Sequence, residues 1–314
     1  MESYHVPVML EKVMHYLSPE SGQVFVDATV GGGGHLRMLL DAVAPKGMVI
    51  GLDKDRDAIK ETASKLGNNG LRLFRRDFGE VEQVLGRLGI EGVNGILADL
   101  GISSHQVDTP RRGFSFNLDG PLDMRMDRES EGPTAADLVA NLPAHDLARI
   151  FREFGEEPGA VRAARAIVKA RRVKPILTTK DLALLLASVL HRPGGTRHPA
   201  TRCFQALRIA VNHELESLQT FLDSLPRVLL PGGTAVVISY HSLEDRMVKT
   251  AFNRLEGKCT CPPGLPECVC GARRIGNILT KKVVRPDPEE VTRNRRSRSA
   301  RLRAFKRAVR DRRN

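Results

Sequence analysis

Tryptophan is missing from the 314-residue chain, tyrosine occurs three times, and aromatic residues make up 4% of it. So few flat side chains argue against any binding mode that relies on extensive ring stacking. No apolar run approaches the roughly 18 residues of a membrane span, so no membrane partner is expected. Residues 1–17 also lack the basic stretch followed by an apolar one that marks an export signal. Cysteine occurs five times, and an odd count without such a signal argues against a secreted disulfide framework. These absences point to a soluble, cytoplasmic chain. No internal repeat is present. What remains is ordinary globular composition, 41% hydrophobic and 27% charged, which excludes wholesale disorder. At roughly 100–200 residues per domain the length suits two domains, or one with a large insertion, and gives a core that needs no staple.

The net charge of +12 is unevenly spread. Residues 293–314 hold eleven Lys/Arg and one Asp, a net of +10, which leaves +2 to the other 292 residues. Read alone, this segment is a basic C-terminal arm. Such an arm suits nucleic acid, because arginine forks onto phosphate, or it is a solvated tail without a dedicated partner. Deleting it is expected to weaken RNA binding and flatten its salt dependence. Four cysteines, Cys259, Cys261, Cys268 and Cys270, fall in the run CTCPPGLPECVC. Two C-x-C pairs can wrap one zinc ion, pair as a local disulfide knot, or sit together in a Pro-rich surface loop, although C-x-C is tighter than the usual zinc spacing.

The first hundred residues alternate short apolar runs with helical periodicity. Strands are expected at 24–30, 48–52, 71–75 and 95–100, and helices at 35–44, 57–66 and 81–88. That pattern predicts a doubly wound, mostly parallel α/β sheet. From 108 to 212 strand signals fade, and amphipathic helices are expected at 144–154, 160–172, 179–190 and 201–225. Strand character returns at 235–239 after Pro231-Gly232-Gly233, followed by a helix at 243–255 and a last strand near 280–284. The expected organisation is a discontinuous sheet domain, 1–107 with 213–292, an all-helical insert at 108–212, and the arm at 293–314.

The glycines after the first strand, Gly31–Gly34, would bring backbone amides and a helix start onto a ligand. The dinucleotide pattern G-x-G-x-x-G fails, because its sixth position is Leu36. Instead an acid closes each successive strand: Asp27, Asp53, Asp77 and Asp99. Carboxylates repel phosphate but suit ribose hydroxyls, an ammonium and a sulfonium. Asp53 stands twenty residues after Gly33, the spacing at which an acid accepts from a ribose. Phe78 can cover an adenine face. Each acid alone reads as readily as a cap or loop carboxylate, but four strand ends beside a glycine loop are harder to dismiss.

This arrangement resembles the class I S-adenosylmethionine-dependent methyltransferases, although Thr29 stands where their loop usually has its first glycine. The resemblance narrows on a series of motifs: VDAT at 26–29, GGH at 33–35, DLGISSHQ at 99–106, RGFSF at 112–116, DGPLDMRMD at 119–127, FQALRIAVN at 204–212, SYHSLEDR at 239–246 and NRRSRSA at 294–300. These are similar to the RsmH (formerly MraW) family and cover essentially the whole chain. The resemblance implies S-adenosyl-L-methionine as cofactor, held by Gly33, Gly34, His35, Asp53, Phe78, Asp99 and Gln106. It also implies N4-methylation of a cytidine in the decoding region of 16S rRNA, within the small ribosomal subunit. No protein partner is evident. Gln106 rests on the resemblance alone. Cys203 stands where Thr is expected and Arg295 where Pro is usual.

The cytosine N4 amino group is a poor nucleophile, so positioning and a dry pocket must supply most of the acceleration. Asp99 is the candidate catalytic residue, accepting an N4 hydrogen. Ser103 and Ser104 line the same turn or merely cap it. His241 either handles the base or belongs to a helix start capped by Ser242. Cys203 lies within a helical segment, which disfavours covalent cysteine chemistry at C5. A nicotinamide oxidoreductase would share the sheet but not the acid-rich edge, and a non-catalytic RNA binder would have no need of that edge. A methyltransferase of another acceptor fits the pocket without the whole-chain motifs.

Overall fold

The computed structural model describes residues 7–190, 198–259, 261, 264, 265, 267, 269 and 272–309. Cys268 and Cys270 lie outside them, and so does any metal or disulfide formed by the four clustered cysteines. The chain divides into two compact units, Met1–Gly101 with Glu216–Asn314, and Ile102–Leu215.

In the first unit seven strands form one sheet: β1 Val24–Asp27, β2 Met48–Asp53, β3 Leu71–Arg75, β4 Val93–Asp99, β5 Leu229–Ser239, β6 Gly276–Ile278 and β7 Arg301–Arg307. Their order is β3-β2-β1-β4-β5-β7-β6. The first five run parallel, whereas β7 pairs antiparallel with both β5 and β6. Successive side chains alternate between the two faces, because a strand has a period of two. Val26, Ile96, Ala98, Val237 and Phe305 join one buried cluster, and Phe25, Leu97, Val236, Ile238 and Leu302 the other. Both faces are therefore covered, as a parallel sheet requires. The chain leaves β1 toward β2 on one side, and β4 flanks it on the other. The carboxyl ends of β1 and β4 thus mark the switch point, where open α/β sheets bind their ligands.

The second unit is helical. Ala135–Asn141, Ala144–Glu153, Ala160–Ala170, Thr179–Val189 and Thr201–Asn212 surround a core that includes Leu147, Phe151, Ile167, Leu186 and Leu207. Two motifs of the sequence reading serve this unit's own architecture. Arg112 is fully buried, and its guanidinium donates to the Met126 carbonyl at 2.7 Å. Asn212 accepts from the Met126 amide at 2.7 Å and donates to the Met124 carbonyl at 2.8 Å.

Three sequence expectations need correction. The single helix read at 201–225 is two helices, Thr201–Asn212 and Glu214–Val228, broken at His213, whose φ of 52° is left-handed. The last strand is not at 280–284: β6 ends at Ile278, and Val284 makes only an isolated bridge to Leu302. Part of the expected arm is structural, because residues 301–307 are β7, between β5 and β6. Charges of this strand are engaged as well. Arg303 makes two bonds to the Asp245 carboxylate, at 2.7 and 3.2 Å, and Arg301 lies 3.7 Å from it.

Candidate active site

Asp27 closes β1, and the loop beyond it is laced to both neighbouring strands. The Ala28 amide donates to Leu97 of β4 at 2.8 Å, and the Val30 amide to Leu52 of β2 at 3.0 Å. Gly31 and Gly33 then take left-handed φ angles of 48° and 77°, which cost glycine least. At Gly33 a side chain would also crowd the Thr62 hydroxyl, with its Cβ 3.0 Å away. Gly34 has a packing reason instead, since a Cβ there would lie 2.9 Å from the Pro7 ring.

Asp53 is the fastener of this loop. One carboxylate oxygen accepts from the Gly31 amide at 2.9 Å and the other from the Asp55 amide at 2.8 Å. Burial pushes its carboxyl up to about 6, against the lowering effect of those two amides. Thr29, at the place of the usual first glycine, has a task of its own. Its hydroxyl accepts from the Asp99 amide at 2.6 Å, and its amide donates to Asp27 at 3.1 Å.

Three of the four strand-end acids converge. Asp27 is buried with its Oδ2 unpartnered, and burial raises its carboxyl well above the ordinary range, with Asp99 and Asp53 adding repulsion. Asp99 Oδ1 accepts from the Tyr240 phenol at 2.7 Å. Burial, the Asp99 charge and this bond all raise the phenol, which stays a protonated donor. Asp99 Oδ2 lies 3.8 Å from His35 Nδ1. The other ring nitrogen of His35, Nε2, is 2.9 Å from the Val8 carbonyl, and a carbonyl only accepts, so Nε2 carries the proton. Burial lowers the imidazole to about 4, which leaves the ring neutral with a bare lone pair on Nδ1. Asp27 Oδ2, Asp99 Oδ2 and His35 Nδ1 are all potential acceptors at one sheet edge. Such an edge suits a ligand that brings N–H or O–H donors and positive charge, and repels phosphate.

Asp77 is employed differently. It caps the short turn Phe78–Glu80 through the Gly79 amide at 2.8 Å and pairs with Lys54 at 2.8 Å. Phe78 is half-buried and meets Phe221 edge to face, with ring centroids 5.7 Å apart. Gln106 belongs to the helical unit, where it completes a capping box with Ser103 at the start of the helix Ser104–Asp108. His241, not Ser242, is the N-cap of the helix Ser242–Leu255. Its Nδ1 faces the Glu244 amide at 3.4 Å, and Glu244 accepts from the Tyr240 and His241 amides at 2.8 and 3.2 Å. Ser242 occupies the first helical position. Tyr240 and Thr29, which fix Asp99 from two sides, were missed by motif reading. The signal for Tyr240 lay in strand register: Asp99 pairs with Ile238, and Tyr240 follows two residues later.

Known proteins bear on this geometry. Residues 2–308 match the MraW methylase family. The ribosomal RNA small subunit methyltransferase H of Syntrophotalea carbinolica is 50% identical over 309 residues, covering 96% of this chain and 98% of that one. The protein of the same name from Geobacter sulfurreducens is 52% identical over 305 residues, covering 96% and 97%. One from Anaeromyxobacter dehalogenans is 49% identical over 304 residues, covering 96% of each. The chain therefore belongs to the MraW methylase family, with the class I methyltransferase fold and S-adenosylmethionine as its methyl donor.

Proposed function

We propose that this enzyme methylates the exocyclic N4 of a cytidine in the decoding region of 16S rRNA, by in-line displacement without a covalent cysteine intermediate. The relatives are named for small-subunit rRNA, and an rRNA acceptor implies a cytoplasmic location. The observation that carries the chemistry is the acceptor set at the ends of β1 and β4, pinned by Tyr240 and Thr29. S-adenosylmethionine supplies an electrophilic methyl on a sulfonium, and its ammonium and ribose hydroxyls match that set. In this reading Gly33 and Gly34 let the backbone approach it, and His35 and Asp99 receive the ammonium. Asp53 receives the ribose, Phe78 covers the adenine, and Gln106 is a further contact that rests on the family resemblance alone.

Asp99 Oδ2 then accepts one N4–H and turns the nitrogen lone pair out of the cytosine ring toward the methyl. That oxygen would take the N4 proton when the nitrogen receives the methyl that the sulfonium of S-adenosylmethionine would supply. Neutral His35 does not compete as an acid. Cys203 is fully buried within the helical unit, so no thiolate from it is available for attack at C5. The helical unit holds the RNA, and the target base leaves its stack to reach the site.

The test incubates the protein with methyl-labelled S-adenosylmethionine and either unmodified small subunits or naked 16S rRNA, followed by digestion and mass spectrometry of nucleosides. N4-methylcytidine at one site is the expected product. Label at C5 or on another base would sink the N4 assignment. No transfer despite bound cofactor would sink the rRNA acceptor.

Cofactor binding should also depend on pH. A cationic ligand favours ionised carboxylates, and Asp53 takes up its proton near pH 6. Calorimetry should therefore show affinity nearly level above pH 7 and falling toward about tenfold per pH unit below 6. The Asp53→Asn variant should bind more weakly with a flatter profile. A flat wild-type profile from pH 5 to 7 would remove Asp53 from the cofactor contacts.

A further inference from the structure

Residues 160–180 contain seven Lys/Arg and no acid. Among the described residues two of the seven have partners: Arg171 donates to the Val139 and Leu142 carbonyls at 2.6 and 2.7 Å, and Lys174 lies 3.4 Å from Asp181. Arg162, Arg165 and Lys169, on the helix Ala160–Ala170, are exposed, as is Arg172 in the turn that follows. At about 100° per residue the three helical side chains fall within a 60° arc, a single stripe roughly 10 Å long. Among the described residues none of these four has an ion-pair partner. An ordinary solvated helix face intersperses acids at i+3 and i+4, and this one has none.

Apolar surface accompanies the charge. Val173 is 90% exposed between Arg172 and Lys174, and Leu177 is 60% exposed. Beside the stripe, Pro158, Gly159, Val161, Arg162 and Arg165 line an open cleft of about 570 Å³. That volume is within the roughly 300–1,000 Å³ of small-ligand sites. Gly159 abuts Leu190, and a Cβ there would approach within 2.5 Å of it.

We propose that this face is a binding track for single-stranded RNA. The stripe Arg162, Arg165, Lys169 and Arg172 takes successive phosphates, and the cleft takes one splayed nucleotide. Guanidiniums serve both purposes, forking onto phosphate and stacking on a base plane, which suits a chain so poor in aromatic residues. The proposal rests on the rRNA acceptor assigned above and adds where that RNA is gripped. It also moves the principal electrostatic contact away from the C-terminal segment, where Arg301 and Arg303 already face Asp245.

The test is a quadruple variant, Arg162→Gln, Arg165→Gln, Lys169→Gln and Arg172→Gln, compared with a control that removes four exposed charges of the sheet unit, Lys46→Gln, Lys60→Gln, Lys65→Gln and Arg87→Gln. Binding of naked 16S rRNA is measured between 50 and 200 mM KCl, alongside methyl transfer to naked 16S rRNA and to small subunits. Lost phosphate contacts at roughly 0.7 per charge should lower the slope of log K against log salt by about 3 in the stripe variant. Affinity at 100 mM should fall at least about tenfold, KM for RNA should rise, and kcat and cofactor affinity should hold. The control should match the wild type. A stripe variant with unchanged affinity and slope, or a control that loses as much, overturns the proposal. Losses seen with subunits but not with naked rRNA overturn it in favour of a protein surface. If the wild type transfers no methyl to rRNA, the acceptor assignment has failed instead. A single Arg165→Glu, judged by its melting temperature, guards against unfolding in the quadruple variant.

Discussion

Asp99→Asn should lower kcat for methyl transfer by about 10²–10⁴-fold, the range for losing a positioned acid or base, while leaving the protein folded. The substitution is nearly isosteric. The new amide oxygen can still accept from the Tyr240 phenol now 2.7 Å from Asp99 Oδ1, and its NH₂ can donate to the bare Nδ1 of His35. What disappears is the second acceptor, at Oδ2, with its charge and its capacity to take the N4 proton. Cofactor affinity should fall too, so kcat must be read at saturating S-adenosylmethionine. Stability should not suffer, because Asp99 repels the already raised carboxyl of Asp27. Tyr240→Phe is the companion variant. It keeps the acceptor but removes the pin, so it should cost less, about tenfold in kcat. Wild-type kcat for Asp99→Asn at saturating cofactor would exclude Asp99 from the chemistry. An equal loss in both variants, with unfolding, would make the pair merely structural.

The strand-end acids were legible because parallel strands read as apolar runs, and β1, β2 and β4 each end on an Asp, with Asp77 two residues beyond β3. Register was not legible. That Thr29 reaches the Asp99 amide and Tyr240 its carboxylate depends on how β1, β4 and β5 align, and no local pattern states it. The His213 break was hidden for a related reason, since a non-glycine residue in a left-handed conformation leaves no mark in the sequence. The RGFSF and DGPLDMRMD motifs point to function when read as motifs. In the fold Arg112 and Met126 hold the helical unit together. Gln106 came from family likeness alone, and its observed bonds are those of a capping box.

The largest misreading was β7, and it carries the largest effect on stability. In RLRAFKR the alternation of Leu302 and Ala304 is a strand signal, but the density of Arg and Lys masks it. Deleting residues 293–314 was expected to weaken RNA binding and flatten its salt dependence. It should instead abolish folding of the sheet unit, measured as loss of soluble protein or of a cooperative thermal transition. The deletion removes the partner of β5 over six residue pairs and strips β6 of its neighbour in the sheet. It also removes Leu302 and Phe305, each buried to within 1%, from opposite faces. Burying each such side chain contributes about 1.5–3 kcal/mol, and the faces of β5 they cover would become exposed in addition. A domain with about 5–15 kcal/mol in total does not survive that. Charge and strand can be separated. Arg295→Gln with Arg298→Gln, both exposed and outside β7, should leave the melting temperature within a degree or two, whereas Phe305→Ala should cost about 3–5 kcal/mol. A truncated chain that still melts cooperatively and binds cofactor would mean that the sheet is complete without β7, and would return residues 293–314 to the status of an arm.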